Sequence, residues 1–303
     1  MILGLDVWEG SLEIDETTLK ANGVGFIIPR LNSISGGLHL DDEFARQWAE
    51  AAGFLRAPYY VYNPWVSGKA NADWLLTHLP SDAPLRVFCD IEVRKDGYSP
   101  VTYANEVNYF IGHVINAGYQ PCIYTGAWFL TYLSDWPNNV PYWWARYPFF
   151  LYPNVKTIIT WEELYDRIEY TGWYPDPVHL CPGDVKLWQC SADRYIVPGT
   201  DRTMDINAWN GTLEELAAWF GASVPDEPPA PALVEVGLKM EVLTDGLRVR
   251  TGPSSLSPIV GQLVMGQTVD VLDIGGTSSW VEITPGRWAA VQYGSSRYMR
   301  VKE

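Results

Sequence analysis

The chain has 303 residues and a formal net charge of −15, with 36 Asp and Glu against 21 Lys and Arg. Its length predicts one large domain and a smaller one, and its acidity argues against nucleic acid or an anionic membrane as partner, because both require a basic face. A neutral or mixed-charge polymer fits better, and the 15 Trp and 18 Tyr favour sugar rings that stack on aromatic faces.

The sequence shows neither a membrane segment nor a secretion signal. No run of about 18 apolar residues occurs, so we expect no membrane-spanning helix. The amino-terminal residues MILGLDVWEG lack a basic region and a small-residue cleavage site. We therefore expect either phage-type release from the cytoplasm or a signal that has already been removed.

Strand-like and helix-like segments alternate along residues 1–221. Short apolar runs such as ILGLDVW, VGFIIPRL and LRVFCDIEV predict strands. Segments with apolar residues at helical spacing, such as DEFARQWAEAAG and TYANEVNYFIGHVINAG, predict helices between them. The alternation predicts an α/β domain in which crossover helices connect a parallel sheet, open or closed into a barrel.

The composition changes after residue 221. Residues 222–236 include VPDEPPAPALVEV, which predicts a semi-rigid, proline-rich linker. Residues 237–303 contain brief β-type runs between Gly, Pro and Ser, which predict a small all-β barrel of about five to seven strands. The two ends also differ in charge: residues 1–223 carry 27 acidic and 14 basic residues, whereas residues 237–303 carry 6 and 7.

Four acidic residues fall at the ends of predicted strands. Asp6 ends the first apolar run, Asp90 and Glu92 end LRVFC, and Asp205 lies in MDIN. Because function gathers at the carboxyl ends of strands in α/β folds, we expect these carboxylates to meet at one edge. Crowding and burial should raise at least one carboxyl pKa, as a general acid at near-neutral pH requires.

The spacing of Asp90 and Glu92 places both on one face of a strand, with Cα atoms about 6.5 to 7 Å apart. Two acids around a scissile bond are what glycoside hydrolysis needs. A lone D-x-E is most often a capping or salt-bridged pair. The presence of Asp6 and Asp205 at the same edge favours a catalytic role instead. A divalent metal held by Asp6, Asp90 and Asp205 is the competing interpretation; no His joins them, so we predict no metal site.

Aromatic residues follow the same strand ends. Each taken singly is as consistent with the core as with a sugar platform. We predict that the following contact substrate: Tyr60, Tyr62, Tyr124, Trp144, Tyr147 and Trp188. Among the cysteines, Cys89 alternates with Asp90 and is expected to point away from it, while Cys181 and Cys190 flank a short loop that a disulfide bridge would close.

Taken in order, eight stretches resemble the lysozymes of glycoside hydrolase family 25. They are GLDVWEG, GFIIPR, YYVYNP, VFCDIE, IYTGAWF, WWARYP, LWQCSAD and MDINAWNG. The resemblance covers about residues 1–221 and implies a flattened, irregular TIM-like (β/α) barrel that cleaves peptidoglycan between N-acetylmuramic acid and N-acetylglucosamine. The first motif is shorter than is usual in the family, which leaves the role of the first loop open.

The resemblance also implies roles for the acids. Glu92 matches the catalytic acid, Asp90 its partner, and Asp6 and Asp205 two supporting carboxylates. We expect a substrate-assisted mechanism, in which Asp90 assists the 2-acetamido group, with inversion as the alternative. A family 18 chitinase is disfavoured because Leu85 and Phe88 stand where its motif has further acids. A protein that binds wall glycan without cleaving it is the alternative of a different class.

Residues 237–303 resemble a bacterial SH3 domain, through GLRVRTGPSS, IVGQLVMGQTVDVL and WVEI followed by GRWAAVQY. Such domains commonly bind wall peptide or its cross-bridge; a plain spacer or a partner-binding barrel is the alternative. The expected partner is thus bacterial peptidoglycan, with the glycan strand in the barrel groove and the peptide at the SH3 domain. No cofactor is implied, and the expected place of action is the bacterial cell wall.

Overall fold

The chain folds into two compact units, Met1–Asp226 and Glu227–Glu303. The computed structural model describes residues 1–11, 13–148, 153–171, 180–200, 202–225, 238–252, 257, 259–271, 273–275, 280–284, 287–293 and 296–302. The predicted linker at 222–236 is described only as far as residue 225, and the rest of it lies outside these ranges. No helix within them is long and apolar enough to cross a membrane.

The first unit contains twelve of the described strands. They are β1 (Ile2–Val7), β2 (Val24–Pro29), β3 (Asn32–Ser33), β4 (His39–Leu40), β5 (Leu55–Arg56), β6 (Tyr59–Val61), β7 (Arg86–Asp90), β8 (Gln120–Gly126), β9 (Tyr142–Ala145), β10 (Thr157–Ile158), β11 (Val185–Ile196) and β12 (Met204–Trp209). Its helices are α1 (Glu16–Ala21), α2 (Phe44–Glu50), α3 (Gly68–His78), α4 (Pro100–Asn116), α5 (Trp161–Thr171) and α6 (Leu213–Phe220), with 3-10 turns at Ala51–Gly53 and Leu130–Tyr132.

Ten of these strands form one curled sheet. Its order is β5, β2, β1, β12, β11, β9, β8, β7, β6, and β10 pairs with β11. A bridge between Arg30, just after β2, and Tyr59, at the start of β6, brings the two sides of the sheet together. The predicted fold class, an irregular α/β barrel, is confirmed.

One strand departs from the predicted parallel arrangement, so the sheet is mixed. β12 runs antiparallel to both of its neighbours, β1 and β11. β11 and β12 are joined by a short connection, and a short connection between adjacent strands requires them to run in opposite directions. Asp205 therefore lies near the amino end of β12, yet it pairs directly with Asp6 near the carboxyl end of β1.

Side chains alternate between the two faces of the sheet. Phe88, Cys122 and Trp143 point into the barrel interior, whereas Cys89 and Tyr142 pack in the layer formed with α3 and α4. Cys89 thus lies on the face opposite Asp90, as alternation predicts. All four cysteines are free thiols, so the structure contains no bridge between Cys181 and Cys190.

Helix α6 packs against the barrel interior near the amino end of β7. Thr212 and Glu215 form a capping box at its start, and Gly221 ends it with φ of 71°, a left-handed conformation that glycine adopts at little cost. Phe220 packs into the barrel interior. Arg86 from β7 donates to the carbonyl of Trp219 at 3.0 and 3.2 Å, which ties the helix to the strand that carries Asp90.

The second unit is all-β, as predicted. Its described strands are β13 (Leu238–Val242), β14 (Leu247–Arg250), β15 (Ile259–Leu263), β16 (Thr268–Val271), β17 (Asp273–Gly275), β18 (Trp280–Thr284), β19 (Arg287–Ala290), β20 (Gln292–Tyr293), β21 (Ser296–Arg297) and β22 (Met299–Val301). They exceed the predicted number because several have only two or three residues. Their inward side chains form one core that includes Met240, Val242, Val249, Val281 and Met299.

Candidate active site

Four carboxyl groups meet at one edge of the curled sheet. Asp6 and Asp90 are 5% and 7% exposed, and Glu92, two residues beyond the end of β7, is partly exposed. Asp6 lies directly opposite Asp205 on the adjacent strand, and burial, followed by charges that include that of Asp6, raises the pKa of Asp90, Glu92 and Asp205. The structure therefore brings together the four acids that the sequence singled out.

Asp6 is held by two side-chain amides. Nδ2 of Asn207 donates to its Oδ1 at 2.6 Å, and Nε2 of Gln189 donates to its two oxygens at 3.0 and 3.2 Å. Burial raises the pKa of Asp6 to about 6, although these donors oppose the shift. Asp205 lies directly opposite Asp6 on the adjacent strand. Burial and the charge of Asp6 raise the pKa of Asp205 well above its usual range.

Gln189 connects Asp6 to two tyrosines. Its Oε1 accepts from the hydroxyl of Tyr124 at 2.7 Å and from that of Tyr147 at 2.5 Å. Because both hydroxyls donate to the oxygen, the amide nitrogen must face Asp6. The orientation of Asn207 is fixed in the same way, since its Oδ1 accepts from Nε1 of the buried Trp143 at 2.7 Å.

Sequence reasoning missed Gln189 and Asn207. Each is an uncharged amide within an otherwise apolar strand, in LWQC and DINAW. Both are buried, and a buried amide is retained only where its donors and acceptors find partners. The sequence could have indicated both residues, because each is an amide within an apolar strand that lies near a candidate acid.

Asp90 is the most isolated of the four acids. Its Oδ1 is buried and has no hydrogen-bond partner within the described residues. Burial, followed by the charges of Glu92 and Asp6, raises the pKa of Asp90 well above its usual range, and the Arg30 guanidinium opposes this rise. A buried acceptor without a donor costs free energy, so this oxygen is poised to accept a hydrogen bond from a bound molecule.

Arg30 is anchored by Asp41, which follows β4, and by the loop that follows β1. Its Nε donates to Asp41 at 2.6 Å, and its guanidinium lies 3.1 Å from Glu9 and 5.1 Å from the ring centre of Trp8. The carbonyl of Trp8 in turn accepts from the backbone of Ser11 at 2.7 Å. The first loop, whose role the sequence left open, thus helps to hold the cation that opposes the raised pKa of Asp90.

Glu92, like Asp205, is partly exposed, whereas Asp6 and Asp90 are buried. Burial, followed by the charge of Asp6, raises the pKa of Glu92 to about 7, and the side chain of Trp128 opposes the rise. A glutamic acid with this pKa is protonated in a substantial fraction of molecules at neutral pH, as a general acid must be.

The predicted substrate-contacting aromatics divide into two groups. Tyr124 and Tyr147 lie beside the acids, through their bonds to Gln189. The other four are buried on the opposite, helix-facing side of the sheet: Tyr60, Tyr62, Trp144 and Trp188. Fully covered rings have no surface to offer a sugar, so the prediction that these four form the groove wall is corrected.

Exposed tryptophans that the sequence did not single out lie at the same edge. Trp8 follows β1, Trp65 follows β6 and Trp128 follows β8, and all three are exposed. Large exposed aromatic rings at the carboxyl ends of barrel strands are suited to contact sugar rings. Within the described residues, no group of three His, Cys, Asp or Glu is arranged to hold a metal ion.

Comparison with protein families matches both units. Residues 5–163 match the model of the glycosyl hydrolases family 25, and residues 245–295 match that of the bacterial SH3 domain. The chain is 27% identical over 226 residues to the uncharacterized protein YegX of Escherichia coli K12, a match that covers 72% of this chain and 73% of YegX.

Solved structures share the fold of the first unit. The bacterial lysozyme from Streptomyces coelicolor superimposes with a TM-score of 0.52 at 23% identity and covers 73% of this chain and 97% of its own. The catalytic domain of endolysin ply40 from bacteriophage P40 of Listeria monocytogenes also has a TM-score of 0.52, at 18% identity, and covers 73% of this chain and 98% of its own.

Proposed function

Because the chain belongs to the glycosyl hydrolases family 25, whose model matches more than half of it, we propose that it is a lysozyme of the N-acetylmuramidase type. As a member of this family it is a glycoside hydrolase that acts on peptidoglycan at the cell wall. The proposed reaction is hydrolysis of the β-1,4 bond between N-acetylmuramic acid and N-acetylglucosamine.

The observation that carries this proposal is the contrast between Glu92 and Asp90. Glu92 is accessible and has a pKa of about 7, so it can hold a proton for the leaving group. Asp90 is buried, with one oxygen that accepts no hydrogen bond within the described residues. One acid is thus suited to deliver a proton and the other to bind a donor of the substrate.

In the proposed mechanism, Glu92 donates its proton to the glycosidic oxygen as the bond to the anomeric carbon breaks. The carbonyl oxygen of the substrate's own 2-acetamido group attacks that carbon, and Asp90 accepts the acetamido N–H and stabilises the positive charge that develops. Glu92, now a carboxylate, takes a proton from the water that opens the cyclic intermediate. This substrate-assisted route retains the β configuration and returns Glu92 to its starting state.

Asp6 and Asp205 have a supporting role in this scheme. The raised pKa of Asp205 limits the negative charge beside Asp90, and the amides of Gln189 and Asn207 keep Asp6 in position. The alternative is inversion, in which Asp90 or Asp205 activates water. An α-anomer as the first product, read by NMR, would exclude the substrate-assisted route and support inversion.

We assign catalysis to residues 1–221, a linker role to residues 222–236, and wall binding to residues 237–303. The bacterial SH3 match within the last segment supports binding of wall peptide or cross-bridge. Its near balance of acidic and basic residues, against the strongly acidic first unit, also suits a surface that approaches the anionic cell wall.

The decisive experiment identifies the sugar at the new ends of the cleaved glycan chains. The purified protein is incubated with peptidoglycan, the products are reduced with borohydride, and mass spectrometry identifies the reduced sugar. Muramitol is expected. Reduced glucosamine would show glucosaminidase cleavage instead, and wall binding without new ends would show a glycan-binding protein that does not cleave.

A further inference from the structure

The loop of residues 8–11 presents a tryptophan next to the acid cluster. Trp8 lies two residues after Asp6, directly beyond the end of β1, so the two Cα atoms are at most about 7 Å apart. The side chain of Trp8 is 38% exposed. A large aromatic ring beside the carboxyl groups is therefore open to solvent.

The backbone of this loop is anchored by two buried side chains. Nε2 of Gln47 donates to the carbonyl of Trp8 at 2.8 Å, and the N–H of Glu9 donates to the carboxylate of Asp41 at 3.1 Å. Gln47 and Asp41 are 0% and 3% exposed. The loop that carries the exposed ring is thus fixed to the body of the first unit.

The indole ring also has a defined position within the loop. The Arg30 guanidinium lies over the ring, 5.1 Å from its centre. Gly10 lies so close to the six-membered ring that an added Cβ would come within 2.4 Å of it. The carbonyl of Gly10 in turn accepts from Nη1 of Arg202 at 3.0 Å. These contacts hold the ring in one place before any ligand binds.

We infer that Trp8 is a substrate-binding residue, a fixed platform on which one sugar ring of the glycan strand stacks. The inference rests on the proposed function and adds a binding site to it. An exposed ring contributes little to a core, whereas a ring that is already fixed loses little freedom when a ligand covers it.

A purely structural role would be to shield the charge of Arg30. That guanidinium already has two carboxylate partners, Asp41 at 2.6 Å and Glu9 at 3.1 Å. The ring is therefore not needed to neutralise Arg30, and its exposed surface remains without a partner in a structural account. The two roles differ in their kinetic effects, because contact with sugar affects substrate affinity whereas displacement of Arg30 affects the chemical step.

The first test measures binding apart from cleavage. Glu92→Gln, with and without Trp8→Ala, is titrated by calorimetry with a peptide-free glycan fragment of several repeats of N-acetylglucosamine and N-acetylmuramic acid. Because this fragment lacks peptide, it omits the ligand proposed for the second unit. Trp8→Ala should weaken the affinity about 3- to 10-fold, the loss expected for one ring-stacking contact of ordinary strength.

The second test measures turnover in the chain that retains Glu92. Trp8→Ala should raise KM by a similar factor and leave kcat within about twofold, because a contact made equally in the ground state and the transition state affects KM alone. Gly10→Ala should also raise KM, since the new Cβ displaces the ring while the indole is kept. The φ of Gly10 is outside the left-handed region, so alanine is tolerated by the backbone.

Tyr109→Ala is the matched control. Tyr109 is 52% exposed on α4, outside the loops that follow the strands, and its substitution should leave both affinity and KM at the wild-type values. Urea unfolding of each variant shows that the protein remains folded under the conditions of the assay.

Wild-type affinity and KM in Trp8→Ala would overturn the inference, as would an equal loss in Tyr109→Ala. A fall in kcat with KM preserved would also overturn it, since the ring would then act by holding Arg30. Failure of the proposed function is seen separately, as a wild-type protein that creates no new chain ends. The calorimetric titration then still decides whether Trp8 binds the glycan.

Discussion

Glu92 is the residue on which the proposed chemistry depends, and Glu92→Gln tests it with the least change of shape. The amide keeps the volume but cannot supply the proton, so kcat should fall roughly 10²- to 10⁴-fold. Binding to intact cell walls and the free energy of unfolding at acidic pH should stay near wild type. Turnover and wall binding are measured side by side, and a variant that keeps more than about a tenth of wild-type activity would remove Glu92 from the role of general acid.

The carboxyl cluster should make the protein less stable as the pH rises. Burial raises the pKa of Asp6 to about 6 and that of Glu92 to about 7, so between pH 4 and 7 the folded state binds more protons than the unfolded chain. The stabilisation is complete below the unfolded pKa values and is lost as the pH rises through the folded ones. Urea unfolding of the wild type should therefore give a smaller free energy at pH 8 than at pH 5.

The matched variants separate the cluster from other titrating groups. Glu92→Gln should reduce the pH 5 to pH 8 difference by roughly 1 to 3 kcal/mol, since its contribution no longer titrates. Glu13→Gln, at an exposed position, should leave the difference as it is. If the free energy of unfolding changed equally with pH in the wild type and in Glu92→Gln, Glu92 would not be a source of the pH dependence.

Gln189 is the residue that couples Asp6 to the tyrosines, and Gln189→Met isolates that coupling. Methionine has similar length and no strong donor or acceptor, so Asp6 loses a donor, and the hydroxyls of the buried Tyr124 and the partly buried Tyr147 lose the Gln189 oxygen as acceptor. The free energy of unfolding should fall by roughly 2 to 4 kcal/mol in urea denaturation. A loss below about half a kcal/mol would mean that water replaces the amide.

At the level of elements, the sequence predicted that the acids meet, because they lie at strand ends. It did not predict the antiparallel direction of β12. Asp6 and Asp90 end apolar runs, and parallel strands bring such ends to one edge. Asp205 reaches the same edge from the start of an antiparallel strand. A short polar segment between two apolar runs permits either a tight reversal or a crossing connection, and the pattern alone does not distinguish them.

Four of the six predicted aromatic residues face the helices, because the face on which a strand residue lies depends on the register of the strand. Val61 and Tyr124 lie in register with Asp90 on the neighbouring strands, and residues in register point to the same face of a sheet. Tyr60 and Tyr62 flank Val61 and therefore point to the helices. Period-two alternation gives two sets of residues on each strand, but only the pairing between strands decides which set shares the face of the acids.

The turn after β8 supplies a prediction at this scale. The backbone of Gly126 does not require glycine, since its φ is outside the left-handed region, yet a Cβ there would meet the Trp128 ring at 2.2 Å. Gly126→Ala should therefore displace the exposed indole with little loss of stability, and the near-UV circular dichroism of the folded protein should change. Gly112→Ala, where a Cβ meets nothing within 4 Å, should leave that spectrum unchanged; a wild-type spectrum in Gly126→Ala would show that the ring keeps its place.

At the level of the whole molecule, each unit has its own core and its own family match. Deleting residues 224–303 should therefore leave a folded hydrolase. Cleavage of small soluble peptidoglycan fragments should stay within about twofold of the full chain, whereas binding to intact walls should weaken at least tenfold, because linked sites bind through effective concentration. If the deletion reduced cleavage of soluble fragments as much as binding to intact walls, the second unit would be part of the catalytic unit.

The antiparallel pairing of β1 with β12 has a consequence during synthesis. Strand β1 lies between β2 and β12 in the sheet, so one of its edges stays open until the last strand of the first unit leaves the ribosome. Asp6 lacks its partners Gln189, Asn207 and Asp205 until then. A nascent or prematurely ended chain that already contains Asp90 and Glu92 therefore lacks the assembled carboxyl cluster, and on the proposed mechanism it should be inactive until the first unit is complete.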